Sequence, residues 1–226
     1  MPDVPNRPEW ERDLAKALAI ALGLQFADVM GLLGNPPDLS NVPSEWWDDS
    51  GKDIANAMIP TLQSIYLAQA EELLKQTTIG VSDFGAINTQ AIEWVNKYTF
   101  DLVRDLNDTT RRGLQAALQA FYENGNMSLS NLKDSLINLF GPARAEMIAI
   151  TEVTRASVNG ELALVNMLEL ENPGIKFTAI WQTAKDDRVC ELCGPLDGTK
   201  YGETWFDYPP RHPRCRCWAN HELSVR

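Results

Sequence analysis

The side chains with the clearest capacity for chemistry are four thiols and one imidazole near the end of the chain. Cys190-Glu191-Leu192-Cys193-Gly194 sets two cysteines three positions apart with a glycine behind them. That spacing lets two thiolates bind one ion while the glycine lets the backbone turn beneath the sulfurs. After 18 intervening residues, His212-Pro213-Arg214-Cys215-Arg216-Cys217 offers three further donors. The pairing predicts one tetrahedral structural Zn2+, held by Cys190, Cys193, Cys215 and a fourth ligand that is either His212 or Cys217. If Arg214 to Trp218 is extended, Cys215 and Cys217 face the same side, so a four-cysteine site and a three-cysteine, one-histidine site both fit. Four protein ligands close the coordination sphere, which makes the expected site structural and not catalytic.

All four cysteines lie between Cys190 and Cys217, which fits a local metal site better than a disulfide framework. The blander readings are small buried hydrophobes or a single disulfide pair. A thioredoxin-like redox role would need a helix to start at the knuckle, and Gly194-Pro195 directly after Cys193 disfavours it.

Other candidates are weaker. Asp186, Asp187 and Arg188 read as a turn with a solvated ion pair. Arg211, Arg214 and Arg216, interleaved with Trp218, could touch phosphates, but their simpler role is to balance the charge of the thiolates. Glu152 and Arg155 sit one helical turn apart and should pair. A His-Asn-His nuclease would have to use His212, Asn220 and His221, a cramped set that competes with the metal role of His212. There is no phosphate-binding glycine loop, no G-x-S-x-G elbow and no H-E-x-x-H helix. The expectation is a protein that is not an enzyme.

The fold class expected around these residues is mainly α, a helical body followed by a small, turn-rich α+β module at the C-terminus. Residues 1–172 form the helical region and residues 173–226 the module, with residues 1–52 as a lead-in helix and a Pro/Trp-rich loop. Met1 to Pro8 should be extended, after which Leu14, Leu18, Leu22, Phe26 and Val29 recur at helical spacing. Gly34 to Gly51, with Pro36-Pro37, Pro43 and Trp46-Trp47, reads as a loop pinned by aromatic anchors. Further helices are predicted over 53–76, bent or restarted at Pro60, then over 89–107, 108–122, 129–140 and 143–170. Asn124-Gly125-Asn126 predicts a left-handed helix end, Ser128 or Ser130 an N-cap, and Gly160 a close packing point or bend. Within the module, 177–183 predicts a strand with Phe177, Ala179 and Trp181 on one side, 196–199 a hairpin turn, and 214–219 a short closing strand.

The 226 residues have a formal net charge of -11 and a pI near 4.6, which argues against coating nucleic acid by charge alone. The acidity is uneven: residues 176–226 hold 8 Lys+Arg against 7 Asp+Glu, leaving 12 against 24 in residues 1–175. The best membrane-spanning candidate, Leu14 to Leu33, is interrupted by Lys16, Gln25 and Asp28 and lacks a cationic lead, so neither a membrane segment nor a secretory signal is expected.

Trp181-x-Thr183, Asp187-Arg188-Val189-Cys190-x-x-Cys193, Leu196-Asp197-Gly198 and Pro209-Pro210-x-His212-Pro213-x-Cys215-Arg216-Cys217 together resemble the Mu F-like minor head proteins, or head morphogenesis proteins, of tailed bacteriophages. Upstream, Arg144-Ala145-x-x-Ile148-Ala149-x-Thr151-Glu152-x-x-Arg155-Ala156-x-x-x-Gly160 is similar to the helix that precedes this module in the family. The resemblance covers roughly residues 90–220. It implies a minor component of the procapsid and virion, present in few copies, associated with the portal protein and other head or scaffold proteins, and acting in head assembly or the handling of packaged DNA. It implies a place in the capsid interior near the portal, and the host cytoplasm during assembly. The resemblance implies that some longer relatives carry a toxin or other effector domain after the module, whereas here 9 residues follow Cys217 and none is expected. Only Cys190, Cys193, His212, Cys215 and Cys217 stand at motif positions with obvious chemistry. A weak DNA contact through the C-terminal module is also expected, and the competing readings are a zinc-ribbon nucleic-acid-binding factor that uses Arg211, Arg214, Arg216 and Trp218 on DNA and, behind it, a metal-dependent nuclease or a redox enzyme.

Overall fold

Apolar residues at helical spacing govern most of the chain, and the computed structural model, which describes residues 3–225, turns them into five α-helices. These are α1 (Arg7–Leu33), α2 (Ser44–Gln76), α3 (Gly85–Glu123), α4 (Leu129–Phe140) and α5 (Pro142–Glu171). Strands β1 (Ile175–Gln182) and β2 (Trp218–Val225) pair antiparallel, with Ala179 opposite His221 and Trp181 opposite Ala219. The architecture is the expected one, mainly α with a small sheet and turns at the C-terminal end.

Several boundaries differ from expectation, each for a physical reason. Helix α1 starts at Arg7, because Pro8 in a first turn forgoes only an N–H that has no helical partner; Met1 and Pro2 of the expected extended lead-in lie outside the described residues. Trp46 and Trp47 anchor the chain as expected, but from the first turn of α2, so the loop is shorter than 34–51. Helix α2 also runs unbroken through Pro60, with Ile54, Met58, Leu62 and Ile65 all buried around it. The predicted helices 89–107 and 108–122 are one helix, α3. The poor helix formers at their junction are satisfied there: Asn107 donates to the Trp47 carbonyl at 2.7 Å, and Thr110 to the Leu106 carbonyl at 2.8 Å. Helix α3 does end at Asn124-Gly125-Asn126, yet none of these three has positive φ, so the left-handed ending is not used.

The chain divides into two compact units: Met1–Arg12, Thr61–Val95 and Met147–Arg226 in one, Asp13–Pro60 and Asn96–Glu146 in the other. The second unit has an aliphatic and aromatic core of Val29, Leu33, Val42, Trp47, Leu114, Leu118, Leu132, Leu136 and Phe140. Most of its buried polar groups find partners, though Thr99 Oγ1 and Gln25 Oε1 have none among the described residues: Gln25 Nε2 donates to Ser50 and to Asn107, and the guanidinium of Arg144 donates to Thr110 at 2.7 Å and to the Leu106 carbonyl at 3.0 Å. In the first unit, Tyr66, Ala70, Leu73, Ile87, Ala91, Leu164 and Leu168 pack together. Gly160 of α5 is the expected close packing point, because a Cβ there would fall 2.0 Å from the Tyr66 carbonyl oxygen.

Helix α1 corrects one further expectation. By length and composition it is long and apolar enough to cross a membrane despite Lys16, Gln25 and Asp28. Leu14, Leu18, Leu22, Val29 and Leu33 on one side of it are buried within the protein, while Ile20 and Leu24 are exposed.

Candidate metal centre

The C-terminal module in the first unit forms around β1. Trp181, fully buried, meets Trp205 edge to face with ring centroids 5.1 Å apart, and Ala179, Leu196 and Ala219 complete a small core with three of the cysteines. The expected turn at 196–199 exists but does not join two strands. It follows a 3-10 turn over Gly194–Leu196, and Gly198, at φ 76°, donates its N–H to the Trp181 carbonyl at 2.8 Å. This return lays the second half of the motif against the first.

The closing strand begins at Trp218 and not at 214, so Cys215 and Cys217 lie on the irregular approach to β2. Arg214 there adopts φ 62°, a left-handed conformation that is strained for a residue with a Cβ. Two threonines of α5 hold it in place. Thr151 accepts from the Arg214 N–H at 2.9 Å, and Thr154 donates to the Cys215 carbonyl at 2.8 Å while accepting from buried Arg7 at 2.8 Å. Sequence reasoning had Thr151 only as a residue of a resemblance and assigned Thr154 nothing; their one signal was three-residue spacing on a single helix face.

The five donors converge. Cys190, Cys193 and His212 form one group whose ligand atoms lie within 4.8 Å of one another, and Cys193, Cys215 and Cys217 form a second. Cys193 belongs to both, and His212 Nε2 is 3.1 Å from Cys190 Sγ and 3.3 Å from Cys193 Sγ. All four cysteines are free thiols, with Cys193, Cys215 and Cys217 buried and Cys190 half-buried. His212 Nδ1 faces the Pro213 carbonyl at 2.8 Å, so a proton on that nitrogen leaves Nε2 aimed at the sulfurs with its lone pair.

The electrostatics suit a cation. Hydrogen bonds from the Cys217 thiol and N–H hold Cys215 down at about 5, against the pull of burial. Cys217 is raised in turn by donating to Cys215 and by burial, and burial pushes Cys193 up to about 12, helped by the negative Cys215 beside it. Burial opposes ionisation of Cys190, but the N–H and thiol of Cys193 and the Leu192 N–H outweigh it and lower its pKa. Burial likewise works against a charged His212, yet the Pro213 carbonyl and the negative Cys215 and Cys190 raise it. Ionisation is thus favoured at Cys215 and eased at Cys190, and a bound ion would draw the remaining protons off. Four sulfurs and one imidazole suit a borderline or soft ion, and these residues could hold one.

Other sequence candidates fall elsewhere. Asp186 pairs with Arg188 at 3.3 Å and with Arg216, so one of the three arginines is engaged beside the thiolates. Arg155 and Glu152 pair at 3.4 Å. His221 does not join His212: its Nδ1 meets Glu161 Oε1 at 2.7 Å in a buried pair that also receives Gln69 at 3.3 Å. The nuclease set is therefore not assembled.

Comparison with known proteins agrees with the site. No curated protein and no solved structure matches the chain. Residues 114–220 match the family model described as "Phage Mu protein F like protein", a stretch that opens within α3, later than the 90 read from the motifs, and takes in all five donors. Over residues 114–220, just under half of its length, the chain is similar to the Phage Mu protein F like family, a similarity that points to phage head morphogenesis.

Proposed function

We propose that this chain is a minor structural protein of a tailed-phage head, acting in procapsid assembly at or near the portal and without enzymatic activity of its own. The observation that carries the reading is the family match over 114–220, which spans the helix α5 threonines and every donor of the cluster. In this reading one Zn2+ staples residues 173–226 into a docking piece for the portal or a scaffold protein, because so small a core is hard to stabilise unaided. Cys190, Cys193 and Cys215 hold the ion, and the His212 to Pro213 contact, which orients Nε2 as metal-bound histidines are oriented, favours His212 over Cys217 as the fourth ligand. The protein would work in the host cytoplasm during assembly and end inside the capsid.

Native mass spectrometry of the protein, alone and mixed with the portal protein of the same phage, tests both levels. The expected spectrum shows one zinc-sized mass that a chelator removes, and a portal complex. A metal-free protein that ignores the portal overturns the reading. His212→Ala should weaken metal retention more than Cys217→Ala, and the reverse order makes Cys217 the fourth ligand. A weak DNA contact is the second reading. It would rest on Arg211, Arg214 and Arg216, the last of them engaged by Asp186, and would show as DNA binding that falls steeply with salt.

A further inference from the structure

Helix α1 presents a second face that none of the described residues covers. Lys16, Ile20, Leu24 and Asp28 recur every fourth residue along it and are all exposed, Ile20 at 59% and Leu24 at 61%. A Cβ added at the neighbouring Gly23 or Gly31 would meet nothing within 4 Å. Lys16 and Asp28 make no hydrogen bond or ion pair among the described residues. Two large apolar side chains are therefore bracketed by one free cation and one free anion on a single ridge.

That order is complementary to itself when reversed. We infer that this ridge of α1 docks a second copy of the same chain, with the two helices crossed and antiparallel. Residues four apart form the ridge used in the commonest helix packing, in which the axes cross at about 50°. With the two-fold axis passing near Leu22, Ile20 of each copy meets Leu24 of the other, and Lys16 of each meets Asp28 of the other. A parallel pairing would set Lys16 on Lys16 and Asp28 on Asp28, so the charges select the antiparallel one. A lipid surface is the poorer occupant, because burying this face in hydrocarbon would strip Asp28 of water with no counter-charge. One ridge covers less than the roughly 1,200 Å² of total area that a stable interface buries, so the dimer is weak and depends on concentration.

Sedimentation velocity of the full chain over a concentration series tests this, with circular dichroism confirming that each variant folds. The wild type should shift from monomer to dimer as concentration rises, and Leu24→Asp should lose the dimer. Lys16→Asp and Asp28→Lys should each lose it alone, whereas an equimolar mixture of these two single variants should recover it, since every charge pair across the interface is then attractive. A wild type that stays monomeric throughout, a dimer that survives Leu24→Asp, or a mixture that stays monomeric overturns the proposal. So does a monomer that floats with phosphatidylcholine vesicles and loses them on Leu24→Asp, which would give the face to lipid.

Discussion

The helical core around Leu132, Leu136 and Phe140 and the small core around Trp181 and Trp205 are built from different materials. The first is aliphatic and aromatic throughout, gathered from four helices and from Val42 between the first two. The second has eight buried members, three of them cysteines, and stands on a two-stranded sheet and a set of turns. A core of the first kind is held by apolar area alone. A core that spends three of its buried positions on thiols has less apolar area to hold it, and the sulfurs are placed where an ion can replace the missing cohesion. Stability of the module should therefore follow metal, and stability of the helices should not.

The largest effect that tests this contrast comes from Cys193, the sulfur shared by both donor groups. Cys193→Ser, or chelation of the wild type, should remove a contribution on the order of 10 kcal/mol, the scale of structural zinc binding. Hydrogen exchange should then show residues 173–225 losing protection while α3 and α4 keep theirs. Simultaneous loss in both regions would end the contrast.

Next in size is Gly160→Ala. The new Cβ would lie 2.0 Å from the Tyr66 carbonyl oxygen, and backbone cannot yield as a side chain does. The expected loss is about 4 kcal/mol by denaturant unfolding. The same loss should appear with and without chelator, because the clash concerns helix packing and not the cluster. Leu136→Ala, at a site with no exposure, should cost about 3 kcal/mol through lost burial and the cavity left behind. It should leave metal retention unchanged in the mass spectrum.

How much of this could be read in advance divides along the same line. The stripe Leu132, Leu136 and Phe140 and the packing role of Gly160 were visible because helical periodicity is a local property. The continuity of α3 through Asn107 was not, because the Trp47 carbonyl that satisfies Asn107 stands 60 residues away in sequence. In the module the convergence of Cys190, Cys193, His212, Cys215 and Cys217 was legible in their spacing, which is one that a metal site would use. The positions around them were not: Thr154 reaches the Cys215 carbonyl across 61 residues, and Glu161 reaches His221 across 60, pairings that no local pattern encodes.

The smallest predicted effect lies at the start of α4, where the helical core depends on a cap. The Ser128 hydroxyl accepts from the Asn131 N–H at 3.2 Å, and the Asn131 side chain accepts from the Ser128 N–H at 3.0 Å, so each residue satisfies a backbone donor of the other. Ser128→Ala removes one half of this exchange and leaves an N–H to water, which should cost about 1 kcal/mol. Asn131→Ala removes the other half. Because the Ser128 hydroxyl also donates to Asn131 Oδ1 at 2.6 Å, the two halves orient each other, and the double variant should lose less than the sum of the single losses. Measured by denaturant unfolding of the metal-loaded protein, strict additivity would mean that the two bonds act independently. A loss that vanished on chelation would mean that this cap supports the metal module, and would remove the separation between the two cores.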